Sequence, residues 1–215
     1  MVQTIPLFPL PNLVLFPHTD VPLHIFEPRY RQMIADIAEG DRIIGMMLLK
    51  GNWESEYYAN PDIYTIGCAG KIDRLVRMPD GRYNLILQGL REFRLTREIR
   101  ERPYRQAVVE WCDVAPEALA LTDQAMAHLR ELLIGYIGEP AEEAWRTVVE
   151  ERGLRDARLV NFLCFHLDLS PLEKQTLLEA LDQRTTCLID VLTFKLVERK
   201  AGPMGQGGGE SGPQQ

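Results

Sequence analysis

Two hydrophobic patterns divide the chain near residue 114. Before this point, short apolar runs alternate with polar residues or are separated by proline and glycine, which is typical of strands and turns. After it, apolar residues recur every three or four positions, as they do along amphipathic helices. We therefore predict an α+β protein, with a β-rich unit over residues 1–113 and a helical unit over residues 114–200.

The first unit is predicted to contain one helix among short strands. The helix begins at Glu27-Pro28 and ends at Gly40, because proline suits a first turn and glycine a last one. Strands are expected over residues 42–49, 63–69, 70–78, 83–88, 93–99 and 105–111. Pro79-Asp80-Gly81 predicts a tight turn, since proline presets a negative φ and glycine accepts a positive one. Short strands joined by turns favour a small closed barrel, which leaves no exposed edge.

The second unit is predicted to form a C-terminal helical bundle. A stripe of apolar residues indicates a helix over 116–137, and Pro140 begins another that stops at Gly153. Asp156 is expected to cap the next helix, and Ser170-Pro171-Leu172-Glu173 has the pattern of a capping box. The chain should break near Asp182 before a last helix. Residues 201–215 are rich in glycine, proline and glutamine, so we expect a disordered tail.

The opening segment, residues 6–30, holds five prolines between apolar runs and then closes on Phe26-Glu27-Pro28-Arg29-Tyr30, which contains a sixth. This segment resembles the start of the N-terminal, substrate-binding domain of the Lon protease family. The later landmarks of that family follow in the same order: Ile66-Gly67-Cys68-Ala69, Pro79-Asp80-Gly81-Arg82, Gly89-Leu90-Arg91-Glu92-Phe93-Arg94, Tyr104, and the helical end from Leu172 to Leu196. The resemblance covers roughly residues 3–199.

The resemblance implies a fold and a function. The fold would be a barrel related to pseudouridine-synthase-associated RNA-binding (PUA) domains, followed by the helical bundle. The function would be to hold unfolded or exposed apolar protein segments for a proteolytic machine, in a groove near the junction of barrel and helices. Complete Lon enzymes carry an ATPase module and a Ser-Lys proteolytic dyad after this domain. We therefore expect no enzymatic activity, no catalytic residue and no cofactor in this chain.

The charge of the chain bears on nucleic acid as a partner. A net charge of −7 argues against general affinity for nucleic acid, which depends on Lys and Arg neutralising phosphates. The exception is an Arg-rich strand region with acidic residues interleaved, made up of Arg91, Arg94, Arg97, Arg100, Arg102 and Arg105. We do not expect nucleic acid as a partner, but an RNA-binding PUA-like barrel that uses these arginines remains the alternative function.

Other features of the sequence exclude several kinds of site. There is no phosphate-binding G-x-x-x-x-G-K-[ST] loop, no Cys or His pair at zinc spacing, and no apolar run near the ~20 residues that span a membrane. The four cysteines are widely spaced among apolar residues, as in a reducing compartment. We expect no metal, no membrane association and a cytoplasmic location.

Two sets of residues are candidates for special roles. Trp53, Tyr57 and Tyr58 lie in a polar, acidic segment, where exposed aromatic side chains could bind a partner. The alternative is that this loop folds back and buries them. In the family signature, Pro22, Phe26, Glu27, Arg29 and Tyr30 are expected to be structural, through aromatic packing and an arginine that satisfies nearby carbonyls or Glu27.

Overall fold

A computed structural model describes residues 2–51, 53–56 and 60–201 of the 215-residue chain. The strands within these residues are β1 (Val2–Leu10), β2 (Asp20–Ile25), β3 (Ile43–Leu48), β4 (Ile66–Arg77), β5 (Tyr83–Ile99) and β6 (Gln106–Trp111). The helices are α1 (Pro28–Ile37), α2 (Asp123–Ile137), α3 (Pro140–Trp145), α4 (Asp156–His166), α5 (Pro171–Glu179) and α6 (Arg184–Ala201). The α+β class predicted from the hydrophobic pattern is confirmed.

The strands form one mixed sheet with the order β2-β5-β4-β3-β1-β6, in which β6 also pairs with β5. The pairings therefore lead from β5 through β4, β3, β1 and β6 back to β5, and β2 lies outside this circuit. β5 pairs with three strands because it is long. Residues 83–88 pair with β2 and residues 93–99 pair with β6, while β4 pairs along its other edge. The β1–β3 pair is parallel, and the others are antiparallel.

The turn at Pro79-Asp80-Gly81 joins β4 to β5 as predicted, with Arg77 opposite Tyr83 and Gly81 at a φ of 79°. The strands on either side are longer than predicted. Residues 63–69 and 70–78 were expected to form two strands, but β4 runs through Gly70. A Cβ atom at Gly70 would lie 2.5 Å from Cγ of Leu87, so this glycine permits close packing instead of ending a strand.

The helical region contains two corrections to the prediction. The expected helix over 116–137 is a short 3₁₀ turn at Pro116–Leu119 followed by α2, whose N-terminus is capped by the Thr122 hydroxyl. Asp156 does not cap α4. Its Oδ1 instead accepts a hydrogen bond of 2.8 Å from the backbone N–H of Leu121, which ties α4 to the segment before α2.

Two other predictions for the helices are confirmed. Ser170 and Glu173 form a capping box at α5, with both reciprocal hydrogen bonds present. The break near Asp182 is a 3₁₀ turn over Leu181–Gln183, after which α6 begins. The helix from Pro140 continues as a π-helical turn over Arg146–Glu151 and ends before Gly153. The predicted disordered tail lies outside the described residues, except for Ala201.

Two hydrophobic clusters hold these elements together. The smaller one takes residues from every strand of the circuit: Ile5, Leu7, Met47, Ala69, Phe93, Ala107 and Val109. The larger one is continuous from the sheet into the helices, and it includes Phe16, Cys68, Leu163 and Leu192. Sheet and helices therefore share a core, and the boundary between them is where a cleft opens on the surface.

Candidate functional site

The signature segment spans β2 and the start of α1. Tyr30 is buried and meets the ring of Phe8 edge-on, with centroids 4.4 Å apart. Arg29 forms an ion pair of 3.0 Å with Glu27 and lies over the Tyr30 ring. These contacts agree with the structural role that we expected for Glu27, Arg29 and Tyr30, although their role stays a prediction.

Phe26 does not have the packing that we expected, because its side chain is 60% exposed. Its described aromatic neighbour is His24, whose ring is roughly parallel to that of Phe26 at 6.1 Å. The reason lies in the strand alternation: Val21 and Ile25 of β2 face the core, so Pro22 and His24 face outward. Phe26 follows directly after β2 and remains at the surface.

The outward residues of three neighbouring strands form what we call the outer sheet face: Pro22 and His24 of β2, Asn84 and Ile86 of β5, and Arg74 and Val76 of β4. They line a shallow depression of about 370 Å³. Val76 is 59% exposed, and Phe26, which follows β2 and contacts the His24 ring at the border of this face, is 60% exposed. This face therefore exposes more apolar surface than isolated surface residues do.

One side of the outer sheet face is the free edge of β2. Among the described strands, β2 pairs only with β5. Pro22 lacks a backbone N–H, which is why proline is tolerated at an edge and why it limits uncontrolled pairing there. On the outer sheet face, Nδ1 of His24 lies 2.6 Å from Oδ1 of Asn84 across the β2–β5 pair, and Arg82 lies 3.3 Å from Nε2 of His24.

The aromatic loop is described only in part. Trp53 lies half-buried in a 3₁₀ turn over Trp53–Glu56. Tyr57 and Tyr58 lie outside the described residues. The choice between a partner-binding and a folded-back loop therefore stays a prediction for all three aromatic residues.

The Arg-rich strand region is partly neutralised by ion pairs. Arg105 donates two hydrogen bonds to Glu98, at 3.0 and 2.6 Å, and a third to the carbonyl of Pro61. Arg91 pairs with Asp113 at 2.8 Å, and Arg102 lies 3.6 Å from Asp36. The remaining members, Arg94, Arg97 and Arg100, are exposed and form no salt bridge with a described residue.

A cleft of about 460 Å³ opens where the sheet meets the helices, and we call it the junction cleft. Its apolar walls come from five different segments and consist of Pro17, Leu90, Val114, Ala115, Leu119 and Ala157. Its polar lining includes His18, Glu92, Asn161 and Arg184. The cleft lies where we expected a groove, at the junction of the β-rich and helical parts of the chain.

Arg184 at the start of α6 is the centre of a buried polar cluster. It is 0% exposed, and its guanidinium donates to the Leu177 and Leu178 carbonyls at the end of α5, to Oδ1 of Asn161 on α4, and to Glu92 on β5. The guanidinium carbon also lies 5.4 Å from the centroid of the Phe16 ring. One side chain therefore links three helices to the sheet.

This cluster was not predicted from the sequence. Glu92 was named only within the landmark Gly89-Leu90-Arg91-Glu92-Phe93-Arg94, and neither Asn161 nor Arg184 was a candidate for a functional role. The position of Arg184 could have indicated it. Arg184 follows the predicted break near Asp182, so it lies in the first turn of the last helix, where a cation is unfavourable next to the positive end of the helix dipole. Arg184 tolerates that position because it lies against the carbonyl end of α5, where the dipole is negative.

His18 forms a rigid part of the rim of the junction cleft. Its φ is 64°, a left-handed conformation that non-glycine residues seldom adopt. The turn is held by a hydrogen bond of 2.8 Å from its backbone N–H to the Gly89 carbonyl and by the Thr19 hydroxyl donating to the Phe16 carbonyl. Burial lowers the pKa of His18, and the charge of Arg158 lowers it further, against an opposing effect of Glu92.

Two kinds of structural feature are absent from the described part of the chain. No group of three or more His, Cys, Asp or Glu residues there is placed to hold a metal ion. Nor does any described helix have the length and apolar character needed to cross a bilayer.

The chain is similar to known proteins along most of its length. Residues 4–192 match the profile of the substrate-binding domain of the ATP-dependent protease La (Lon). Lon protease 2 from Myxococcus xanthus is 29% identical over 92% of the chain, and Lon protease from Parabacteroides distasonis is 31% identical over 93%. The chain covers only 24% and 25%, respectively, of the length of these two relatives.

Solved structures show the same fold. The Lon N-terminal domain protein from Xanthomonas campestris superposes with a TM-score of 0.64 at 24% identity, covering 89% of this chain and 98% of that one. The N-terminal domain of the Mycobacterium avium complex Lon protease gives a TM-score of 0.66 at 17% identity, covering 91% and 99%. These structures show the fold, and the match over residues 4–192 establishes that the chain belongs to the Lon substrate-binding domain family.

Proposed function

We propose that this chain is a non-enzymatic module that binds unfolded or exposed apolar segments of other proteins. Its membership of the Lon substrate-binding domain family supports this proposal, because the matched residues correspond to the part of Lon named for binding substrate. Unfolded segments are the first partner that we propose. A protease that supplies ATPase and proteolytic chemistry is the second.

The observation that carries the proposal is the outer sheet face. Phe26 and Val76 are 60% and 59% exposed, and Pro22 of β2 lies opposite Ile86 of β5 on the same face. Burying such a surface against an apolar segment removes it from water, and this stabilises the complex by about 25 cal/mol for each Å² of apolar surface buried. The free edge of β2 adds backbone groups that an extended segment could pair with.

We further propose the finer features that the family resemblance implies. The circuit of paired strands corresponds to a PUA-like barrel, and the helices after residue 114 correspond to a bundle. The unit boundaries that we propose are 1–113 and 114–200, with a tail over 201–215. The location that we propose is the cytoplasm.

The test of this function is the binding of a fluorescently labelled, permanently unfolded protein, measured by anisotropy. We expect the double substitution F26S/V76S to weaken binding by about fivefold or more, the size usual for important contact residues. The matched control is F194S/V197S, because Phe194 and Val197 on α6 are equally exposed, at 62% and 60%. If F26S/V76S and F194S/V197S weaken binding equally, the outer sheet face is not the binding surface.

Two further measurements address the remaining candidates. Replacing Trp53, Tyr57 and Tyr58 with Ala should weaken the same binding if the aromatic loop contacts the partner, and unchanged affinity would exclude that loop.

For the RNA alternative, single-stranded RNA should bind with an affinity that falls steeply with salt and depends on Arg94, Arg97 and Arg100. Undetectable RNA binding at low salt would eliminate it.

A further inference from the structure

Arg184 fixes the orientation of the Asn161 side-chain amide on the floor of the junction cleft. A guanidinium carries only hydrogen-bond donors, so the oxygen of Asn161, and not its NH₂ group, must face Arg184, at 2.6 Å. The NH₂ group of Asn161 therefore points away from Arg184. Asn161 is 1% exposed and lines the cleft, and its Nδ2 donates no hydrogen bond to a described residue.

Glu92 contributes the opposite kind of group. Its Oε1 accepts a hydrogen bond from Arg184, whereas its Oε2 accepts none from a described residue. Among the described residues, the unbonded side-chain polar atoms that are closed off from solvent are Oε1 of Gln175 and Oγ1 of Thr185. Oε2 of Glu92 and Nδ2 of Asn161 are not among these atoms, so each keeps some contact with solvent, and both residues line the cleft, although they are only 5% and 1% exposed.

The floor thus offers one acceptor and one donor without net charge, because Arg184 neutralises Glu92. A cationic ligand would meet the NH₂ group of Asn161, and an anionic ligand would meet the free oxygen of Glu92. A neutral group with both an N–H and a C=O satisfies both atoms. The walls of Pro17, Leu90, Val114, Ala115, Leu119 and Ala157 favour apolar groups on either side of it.

We propose that the junction cleft binds a main-chain amide of an extended polypeptide segment with small apolar side chains. The amide N–H donates to Oε2 of Glu92, and a carbonyl of the segment accepts from Nδ2 of Asn161. The volume of about 460 Å³ falls within the usual range of ligand sites. This inference rests on the proposed function, and it adds a second, polar subsite to the outer sheet face.

The direct test uses NMR on the ¹⁵N-labelled full chain and a neutral tripeptide, acetyl-Ala-Val-Ala N-methylamide. We expect the side-chain NH₂ signal of Asn161 to shift on titration. An analogue with esters in place of the amides that could reach Glu92 lacks the N–H donor, and it should bind roughly tenfold more weakly, the cost of losing one hydrogen bond to a charged acceptor. Equal affinity of the two compounds would overturn the assignment.

Substitutions that fill the cleft without touching Arg184 provide the second test. Ala157→Phe should abolish the Asn161 shift, whereas Ala127→Phe, at an exposed position of α2 outside the cleft, should leave it unchanged. If Ala157→Phe does not fold, Ala115→Phe on the exposed rim of the cleft serves the same purpose. Persistence of the shift in a folded cleft-filled variant would contradict the proposal.

The two proposals can fail separately. F26S/V76S should leave tripeptide binding unchanged, because neither residue lines the junction cleft. If unfolded proteins bind but the tripeptide does not, the cleft assignment is wrong and the proposed function stands. If the tripeptide binds in the cleft but unfolded proteins do not bind at all, the proposed function is wrong and the amide subsite stands.

Discussion

Arg184, at the start of α6, donates a hydrogen bond to the carboxylate of Glu92 on β5, a residue 92 positions earlier in the chain. Both side chains are buried, at 0% and 5% exposure. The same guanidinium also holds Asn161 and the carbonyl end of α5. This ion pair therefore acts together with the shared hydrophobic core to fix the relative placement of sheet and helices.

Removing the guanidinium should destabilise the fold strongly. Arg184→Met leaves the Glu92 carboxylate buried without its partner, and breaking a buried pair in this way costs about 3–5 kcal/mol. Urea unfolding monitored by circular dichroism measures the change. Arg94→Met, at an exposed position on the same strand as Glu92, is the control and should change the free energy of unfolding by less than about 0.5 kcal/mol.

A double variant separates charge from packing at this site. Combining Arg184→Met with Glu92→Leu removes the unpaired charge, so we expect part of the lost stability to return. A double variant no more stable than Arg184→Met alone would show that lost packing, not uncompensated charge, causes the destabilisation.

Gly89 is predicted to be intolerant of any side chain. A Cβ atom at this position would lie 2.0 Å from the backbone oxygen of Phe16, which cannot move away as a flexible side chain could. Gly89→Ala should cost about 3 kcal/mol or more in the free energy of unfolding. At Gly40 the nearest atom would be 3.8 Å away, so Gly40→Ala should be neutral within about 1 kcal/mol. Similar thermal midpoints for the two variants would contradict this account.

The lowered pKa of His18 predicts a dependence of stability on pH. Since the folded chain holds this pKa below its usual value of 6.5, protonation favours the unfolded chain. The contribution is complete above pH 6.5 and is lost as the pH falls below that value. The wild type should therefore lose more stability between pH 7.5 and pH 5 than His18→Asn does, because asparagine tolerates the left-handed conformation but does not titrate.

When wild type and His18→Asn are compared at the same pH, the contributions of the other titrating groups to the free energy of unfolding cancel. His166, whose pKa is also lowered by burial, by Lys174 and by Arg152, is present in both proteins and contributes equally to both. The charged groups that act on His18 itself are Arg158 and Glu92. Identical pH dependence of wild type and His18→Asn would show that His18 is not the source.

The capping box gives a prediction with two parts. Ser170→Ala removes the acceptor for the backbone N–H of Glu173 and should cost about 1 kcal/mol. Glu173 also accepts from Ser170 and pairs with Lys195 at 2.8 Å. Burial alone would raise the pKa of Glu173, but the hydrogen bonds from Lys195 and Ser170 outweigh it and lower the pKa.

The lowered pKa of Glu173 fixes the pH range of its contribution. The stabilisation is fully present above the usual pKa of 4.5 and is lost as the pH falls through the lowered pKa of the folded state. The difference in unfolding free energy between wild type and Glu173→Gln should therefore be largest at neutral pH and shrink below pH 4. A difference that stays constant from pH 7 to pH 3 would contradict the ionic origin of the effect.

The sequence predicts features that depend on a few adjacent residues. The turn at Pro79-Asp80-Gly81, the capping box at Ser170 and the break near Asp182 all follow from local chemistry, and the structure confirms each. The family resemblance, which depends on the proline-rich opening and the order of later motifs, is confirmed as well.

Features that depend on contacts between distant segments could not be predicted in this way. The division predicted between residues 69 and 70 is absent from β4, and the neighbours of Gly70 in the sequence do not indicate that Leu87 packs against it. Asp156 has the chemistry of a helix cap, but a backbone N–H from residue 121 competes for it. The floor of the junction cleft joins residues 92, 161 and 184, and no local pattern connects them.

β1 is synthesised before both of its neighbours in the sheet, β3 and β6, and Val2 pairs with Glu110. The first strand must therefore wait until more than a hundred residues have been made before its edge is covered. Contacts so far apart in sequence slow folding, and an uncovered apolar strand is prone to aggregate in the meantime. A nascent chain of this protein should consequently depend on chaperones for as long as translation takes to pass β6.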